Sequence, residues 1–579
     1  MAKKAFILTL VAVLVLLSAC SGGGSGGEAS NPPEGGAANE AETNEAEAEP
    51  APEAADPLGK YAEPVKMTIG MCVDPTDKTL PAGDAIDNNV FTRAIKDALN
   101  IEVSAYWTVS CGENRNQKVS LAIASNDLPD AMVVTPVELR QMAEAGQLES
   151  MQEAFDAYAS DGYRSVIDST EGLALEAVSF DGQMLALPNT VSRSDGTHLM
   201  WIRQDWLDKL GLAPPQTIDE LERVATAFSE QDPDGNGQDD TFGISGPDVS
   251  DDLFSTFLES TNNVYGFDPI FSAFDAYPGF WIEGADGQPV YGSTLPEMKD
   301  ALAKLRDWYA RGLIDPEMGV REESAEPVTA GKSGIFFGMW WAGFNPIPNA
   351  LAENPNANWQ AYALPLNAEG VFKPRINTPS TQFVVVRKGY EHPEAAMKIL
   401  NFLYYNEDRL EAESGVHTSN IPLRITMDRY DKFEGEVTLL RKVLLDGEST
   451  DILKPENQNY NPTLMAEYEN ILKVKNEPYD DNDIATWNVA AEGGQFPRAY
   501  ARLVGAGALL SPMERVNSML YSQTRSMEDR WTNLEKLESE TFMKIIMGVE
   551  PVDSFDAFVE EWKSQGGDRI AQEVAEAVQ

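Results

Sequence analysis

The sequence predicts an α/β fold, and three observations predict it. Over 65–134 an apolar run with a period-two hint (65–71), a helical face (Val90, Ala94, Ile95, Ala98), a second strand (101–107), a second helix (116–124) and the run 131–134 follow one another at βαβ spacing. The run Ala131, Met132, Val133, Val134 is short and wholly apolar, as suits a parallel strand covered on both faces. Thr135, Pro136 and Glu138 then form a capping box with proline at the first helical position, which starts the next helix. No internal repeat of fixed period is visible.

Before this region, Lys3 and Lys4 precede thirteen uncharged residues, 5–17, and then Leu17, Ser18, Ala19 and Cys20. A basic start, a short apolar core and small residues before the cut describe an export signal, and thirteen residues are too few to span a bilayer. The Leu-Ser-Ala-Cys run resembles a lipobox, which implies cleavage before Cys20 and lipidation of that residue. Residues 21–59 are mostly Gly, Ser, Ala, Glu and Pro with no aromatic and no basic residue, a composition that cannot bury enough apolar surface to order itself and reads as a tether. Gly23, Ser25 and Gly27 match a nucleophile-elbow pattern, but a linker offers no strand-to-helix turn to strain the serine.

The net charge is −49, which excludes nucleic-acid binding through phosphates and attraction to an anionic membrane surface. Outside Cys20 only Cys72 and Cys111 remain, too few for a disulfide framework. They either pair in an oxidising exterior or stay as buried thiols.

The stretch 187–197 reads as a crossing, with Leu187 and Pro188 closing the first region. The stretch 200–245 is the most informative. It opens with the apolar run 199–202 and a short helix ended by Gly211. A second helix follows, capped by Thr217 and Glu220, with Leu221, Val224, Ala225 and Phe228 on one face. Next come Asp232, Asp234, Asn236, Gln238 and Asp240, with Gly237 at the sixth position: oxygen donors at alternate positions, as a hard cation requires. The twelfth position, where a bidentate Glu belongs, is Gly243. A structural Ca²⁺ would neutralise these carboxylates, and the alternative is an Asx turn with no metal.

Further on, Met298, Leu302, Leu305 and Tyr309 stripe a helix, and 331–341 is an apolar segment ending in Trp340 and Trp341. Gly331, Lys332 and Ser333 mimic the end of a P-loop, but Glu326 stands where its first glycine belongs. The run 382–386 reads as a buried strand and 392–405 as a helix; Phe555, Phe558, Val559 and Trp562 stripe a last one, closed by Gly566 and Gly567.

His198, His392 and His417 stand far apart with no metal or nucleophile spacing, so no catalytic constellation is legible. The aromatic residues in turns and strand ends are the better signal. Flat rings in a cleft stack on the apolar faces of sugars while amides and charged groups take the hydroxyls. Trp201, Trp281, Trp340, Trp341 and Trp487 are candidates for the first role, Arg203, Arg375, Asn189 and Asn345 for the second. If Trp340 and Trp341 lie on a strand, they face opposite sides and at most one points into the cleft.

The run Ile202-Arg203-x-Asp205-Trp206-Leu207-x-x-Leu210-Gly211-Leu212, the loop 232–237 and the C-terminal Phe555-Asp556-x-Phe558-Val559 with Trp562 resemble the large extracellular solute-binding lipoproteins of Gram-positive ABC importers, in the carbohydrate branch that includes alginate-oligosaccharide binders. The resemblance implies a periplasmic-binding-protein type II fold, two lobes with a ligand cleft between them. It places the signal at 1–19, the tether at 20–59, one lobe at 60–188 and 375–412, and the other at 189–374 and 413–579. It implies capture of an oligosaccharide or other small solute and delivery to the ABC permease, without catalysis, by a monomer held outside the cell membrane by its lipid, with calcium in the 232–240 loop. The rival readings are an extracellular carbohydrate-active enzyme, hydrolase or lyase, and a surface lipoprotein that docks polysaccharide.

Overall fold

The computed structural model describes residues 55–73, 79–248, 252–257, 264–376, 378–491 and 494–578; the predicted signal, Cys20 and the tether up to residue 54 lie outside the described residues. The fold is mixed α/β, built on two sheets. The first has the strand order Ile101–Ser110, Val65–Val73, Ala131–Val134, Phe383–Val386, Leu187–Pro188. Its first three strands are parallel. Phe383–Val386 enters antiparallel, with Phe383 opposite Val134 and Val386 opposite Ala131. All four of its residues are buried, which a strand covered on both faces requires. Val90–Leu99 packs Phe91 and Ile95 on this sheet, and Glu394–Ser414 adds Ile399, Leu400 and Leu403; Ile421, Leu423 and Ile425 complete the same core.

The second sheet runs Trp359–Tyr362, Leu199–Arg203, Ser333–Gly338, Phe242–Ile244, with only the last pair parallel. Alternation along its strands feeds two cores. Met200, Ile202, Ile335 and Phe337 face the helices Ile218–Glu230, Pro296–Ala310, Arg525–Ile546 and Ser554–Trp562. Trp201, Phe336 and Trp359 face Leu464–Val474 and Gln495–Tyr500.

The chain passes between the sheets three times, near 189–198, 374–382 and 426–432. The first passage hydrogen-bonds to both others: Asn189 N donates to Gln382 O (2.9 Å), Val191 N to Pro379 O (2.9 Å), Thr190 N to Thr426 O (3.0 Å) and Arg193 N to Tyr430 O (2.9 Å). Three extended segments thus form one small ribbon on which both sheets are mounted.

Several local expectations resolve in detail. Thr135 and Glu138 make their reciprocal box. Thr217 accepts from Glu220 N (3.3 Å), but the Glu220 carboxylate takes Gln216 N (2.8 Å), one residue earlier than a capping box places it. Cys72 and Cys111, left open by the sequence, form a disulfide at the neighbouring ends of their parallel strands. The last residues of the expected tether are docked: Lys398 Nζ donates to Gly59 O (2.7 Å) and Asn401 Nδ2 to Pro57 O (3.1 Å). Gly566, with φ 128°, closes the helix that begins with Ser554–Trp562 as expected, and a further helix, Asp568–Ala577, follows the kink.

Candidate functional site

In open α/β sheets ligands collect outside the carboxyl ends of parallel strands, because side chains and loops there diverge and leave a crevice. In the first sheet those ends are Val73, Ser110 and Val134, in the second Ile244 and Gly338. At the second of these ends the predicted tryptophan pair is not on a strand. Ser333–Gly338 stops, and Trp340–Gly343 is a tight helical turn.

That turn divides the pair. Trp340 is turned inward: its Nε1 donates to Asp195 Oδ1 (3.2 Å), its ring lies 4.3 Å from that of Phe433, and the Arg502 guanidinium stands 5.0 Å from it. Burial pushes the Asp195 carboxyl up, against the pull of the Trp340 N–H. Trp341 is half-buried, and Phe344 and Asn345 are exposed beside it. The turn is seated by glycine: a Cβ on Gly343 would stand 2.5 Å from Ala501 Cα, and one on Gly505 would stand 2.1 Å from Trp340 O. Asp195 belongs to the first passage and Phe433 to the helix Lys432–Leu444 that follows the third, so the aromatic turn abuts the ribbon between the sheets. A pocket of 540 Å³ lined by Tyr362, Leu366, Phe372 and Met513 adjoins the same apolar cluster, against which Trp341 packs. A larger hollow of 920 Å³, lined by Thr68, Tyr106, Asp127, Asp130 and Arg387, lies at the opposite end of the first sheet, where the parallel strand 131–134 begins.

The other predicted contacts are structural in their placement. Trp201 and Trp281 have no exposed surface; Trp201 stacks on Phe336 and Trp281 packs against Tyr291 and Trp562. Trp487 is enclosed by Phe496 and Tyr500. Arg203 spends its guanidinium on Asp205 (2.8 and 2.6 Å) and lies over Trp206. Arg375 is buried over Phe280, donates to Ser255 O and Pro278 O (3.0 Å), and is pushed down by burial. Asn189 joins the passages: its Oδ1 accepts from Thr381 N (2.8 Å) and Gln382 N (2.9 Å). Of the predicted set, the structure leaves Trp341 half-buried and Asn345 exposed, on or beside the turn whose Trp340 contacts the first passage. Asp195, Phe344 and Phe433 were missed; Asp195 stood in a polar run read only as a linker, and nothing local marks Phe433.

In the 232–240 loop the Asp232 carboxylate accepts from Gly235 N (3.0 Å) and Gly237 N (3.2 Å), and Asn236 Nδ2 bridges Asp234 Oδ2 (2.8 Å) and Asp240 Oδ1 (3.1 Å). Two lysines answer part of the crowding that argued for a cation. Lys209 Nζ donates to the carbonyls of Asp232 (2.9 Å) and Pro233 (3.0 Å), and Lys332 pairs with Asp240, holding its carboxyl below the usual range. Gly243 is buried on its strand, where a Cβ would stand 2.6 Å from that of Ala225, so the twelfth position has no room for a ligand. Among the described residues no three His, Cys, Asp or Glu side chains are grouped to hold a metal. The donors fit an oxygen-seeking cation in type and spacing, and Lys332 occupies one of them.

Among the described residues no helix is long and apolar enough to cross a membrane. Two curated relatives from Bacillus subtilis (strain 168) are similar to this chain. Lipoprotein LipO is 24% identical over 507 residues, covering 84% of this chain and 88% of its own. The polygalacturonan/rhamnogalacturonan-binding protein YtcQ is 25% identical over 504 residues with the same coverage. Among solved structures, the alginate-binding protein AlgQ2 without calcium ion matches 90% of this chain and 98% of its own, at 16% identity and a TM-score of 0.51, a likeness of fold. The model of bacterial extracellular solute-binding proteins matches residues 88–409, more than half of the sequence, spanning the whole second sheet and every strand of the first except Val65–Val73, and the chain belongs to that family.

Proposed function

We propose that the protein captures an oligosaccharide between two lobes and delivers it to the permease of an ABC importer. The observation that carries this reading is the aromatic turn 339–345, set at the carboxyl end of a strand and against the ribbon where the two sheets meet. Trp341 and Phe344 supply the stacking surface and Asn345 an amide for hydroxyls. The lobes are 60–188 with 375–412 and 189–374 with 413–579, and the packing of Ile421 and Ile425 supports carrying the first lobe on to the third passage. Ligand contacts from both lobes favour the closed arrangement, and only that differential affinity moves the equilibrium. The relatives that bind polygalacturonan and rhamnogalacturonan, or fructooligosaccharide, support a sugar as the solute. The role is capture without turnover, by a monomer whose Cys20 lipid holds it at the outer face of the membrane.

Calcium belongs to this reading as a structural ion. Asp232, Asp234, Asn236, Gln238 and Asp240 would hold it, with Lys332 released from Asp240, and the ion would supply fixed positive charge to a crowded acidic loop.

The test is thermal unfolding against neutral and acidic oligosaccharides, with calcium and with chelator. A sugar that raises Tm and is recovered unchanged is the expected result; at a hundredfold excess over Kd the gain is about 2.7 kcal/mol. A sugar that is consumed, or a panel with no effect, overturns capture. A Tm insensitive to chelator removes the ion.

A further inference from the structure

Arg140 lies on Pro136–Glu144, a helix packed on the first sheet, and Glu528 in the first turn of Arg525–Ile546, a helix packed on the second. Their side chains meet, Nη2 to Oε1, at 2.6 Å. Neither residue belongs to a passage, and the contact spans 388 positions of sequence. Other ion pairs, such as Arg115 with Glu138 on the first sheet and Arg203 with Asp205 on the second, stay within one half. Helix Pro136–Glu144 starts at the carboxyl end of Ala131–Val134, the end that faces the crevice. A second cross-half contact, Asn459 Nδ2 to Ser165 Oγ (2.7 Å), differs in kind: Arg429 of the third passage shares the same hydroxyl at 2.8 Å, so it sits at the ribbon itself.

We propose that Arg140 and Glu528 form an electrostatic latch that holds the two lobes closed, rests on the two-lobe reading above, and makes closure sensitive to ionic strength. Rotation about the ribbon must separate groups that lie off it, so opening breaks this pair while the Ser165 contacts can persist. Glu528 is further favoured by the positive end of its own helix, which is lost to neither state. An ion pair this exposed, 17% and 32% by side chain, contributes little to folding, but a lobe equilibrium is poised finely enough that it shifts the closed-to-open ratio about two- to five-fold. Salt screens it over about 8 Å at physiological strength.

The test uses the full-length protein without ligand, carrying spin labels on azide-bearing residues at the exposed positions Leu121 and Val549, one on each half. The label separation reports the lobe equilibrium. Arg140→Gln and Glu528→Gln should each reduce the ratio of short- to long-distance populations about two- to five-fold with Tm unchanged, and the double reversal Arg140→Glu with Glu528→Arg should restore it. Added salt should lower that ratio in the parent relative to the single variants, which keep only the general response of a highly charged protein to screening. Distributions unchanged by either substitution, or a double reversal that behaves like the singles, overturn the latch. Sugar binding is measured separately, so a failure of capture and a failure of the latch give different results.

Discussion

Glu538 is wholly enclosed and accepts from Tyr291 Oη (2.8 Å) and Ser293 Oγ (2.6 Å). Burial raises its carboxyl to about 7; the Ser293 and Tyr291 hydroxyls and the Arg375 charge oppose this, and Asp252 adds to it. The folded state therefore keeps a proton that the unfolded chain releases near the ordinary value of 4.5. Stability is fullest below that lower value and falls as pH rises toward 7, by roughly 3 kcal/mol in all. Glu538→Gln should flatten the dependence, so that urea unfolding at pH 5 and pH 8 differs by less in the variant than in the parent. Equal slopes would show that another group sets the profile. Trp341→Ala belongs at the same scale. A half-exposed ring that stacks on a sugar should weaken binding about tenfold or more by titration calorimetry while leaving Tm within a degree or two. An unchanged Kd would take the stacking role from this residue.

The turn 339–345 works as a unit because its backbone is pressed onto 501–505. Gly343→Ala brings a methyl group against Ala501 Cα and must push the turn outward. Sugar affinity should fall together with about 1–3 kcal/mol of stability, the cost of overpacking, in contrast to the binding-only effect at Trp341. A variant with normal Tm and normal affinity would mean that the turn yields without moving the rings. Elements of this kind also mark how far the sequence could be read. Strand and helix identity was legible where a short apolar run or a cap with helical spacing carried it, in 131–134 and 382–386 and in Thr217 with the helix after it. The turn at Trp340 was not, because GIFFGMWW has the composition of a buried strand and only packing on Ala501 decides where extension stops. Trp201 and Trp281 looked like candidates by type, yet a sheet covered on both faces turns Trp201 into core, and Trp281, on the separate two-stranded ribbon of Trp281–Glu283 with Pro289–Tyr291, is buried by Tyr291 and Trp562. Arg203 and Arg375 were unreadable for a related reason: a guanidinium is placed by partners such as Asp205 and Pro278 O, and Arg375 takes its acceptors from about a hundred positions away or more. The acidic loop was legible as a loop, whereas the lysine at 332 that pairs with Asp240 lies 92 positions further on.

At the scale of the molecule, two sheets share one ribbon. The net charge of −49 repels like surfaces at long range and is screened by salt, so ionic strength should act on the lobes through two opposed routes, relief of general repulsion and loss of the Arg140–Glu528 pair. The single-residue variants separate them, since only the second depends on those two side chains. The strand order of the first sheet has a consequence in time. Phe383–Val386 lies between Ala131–Val134 and Leu187–Pro188. A chain emerging amino-terminus first therefore presents an unfilled slot in its first sheet until nearly four hundred residues have appeared, and neither half can finish before the other is under way. Pairing of such sequence-distant strands is slow, and the open edge is a template for the wrong partner in the interval. Maturation of this protein is thus paced by the arrival of one four-residue segment, and substitutions in Phe383–Val386 should depress yield from the cell more than they depress the stability of the molecules that succeed.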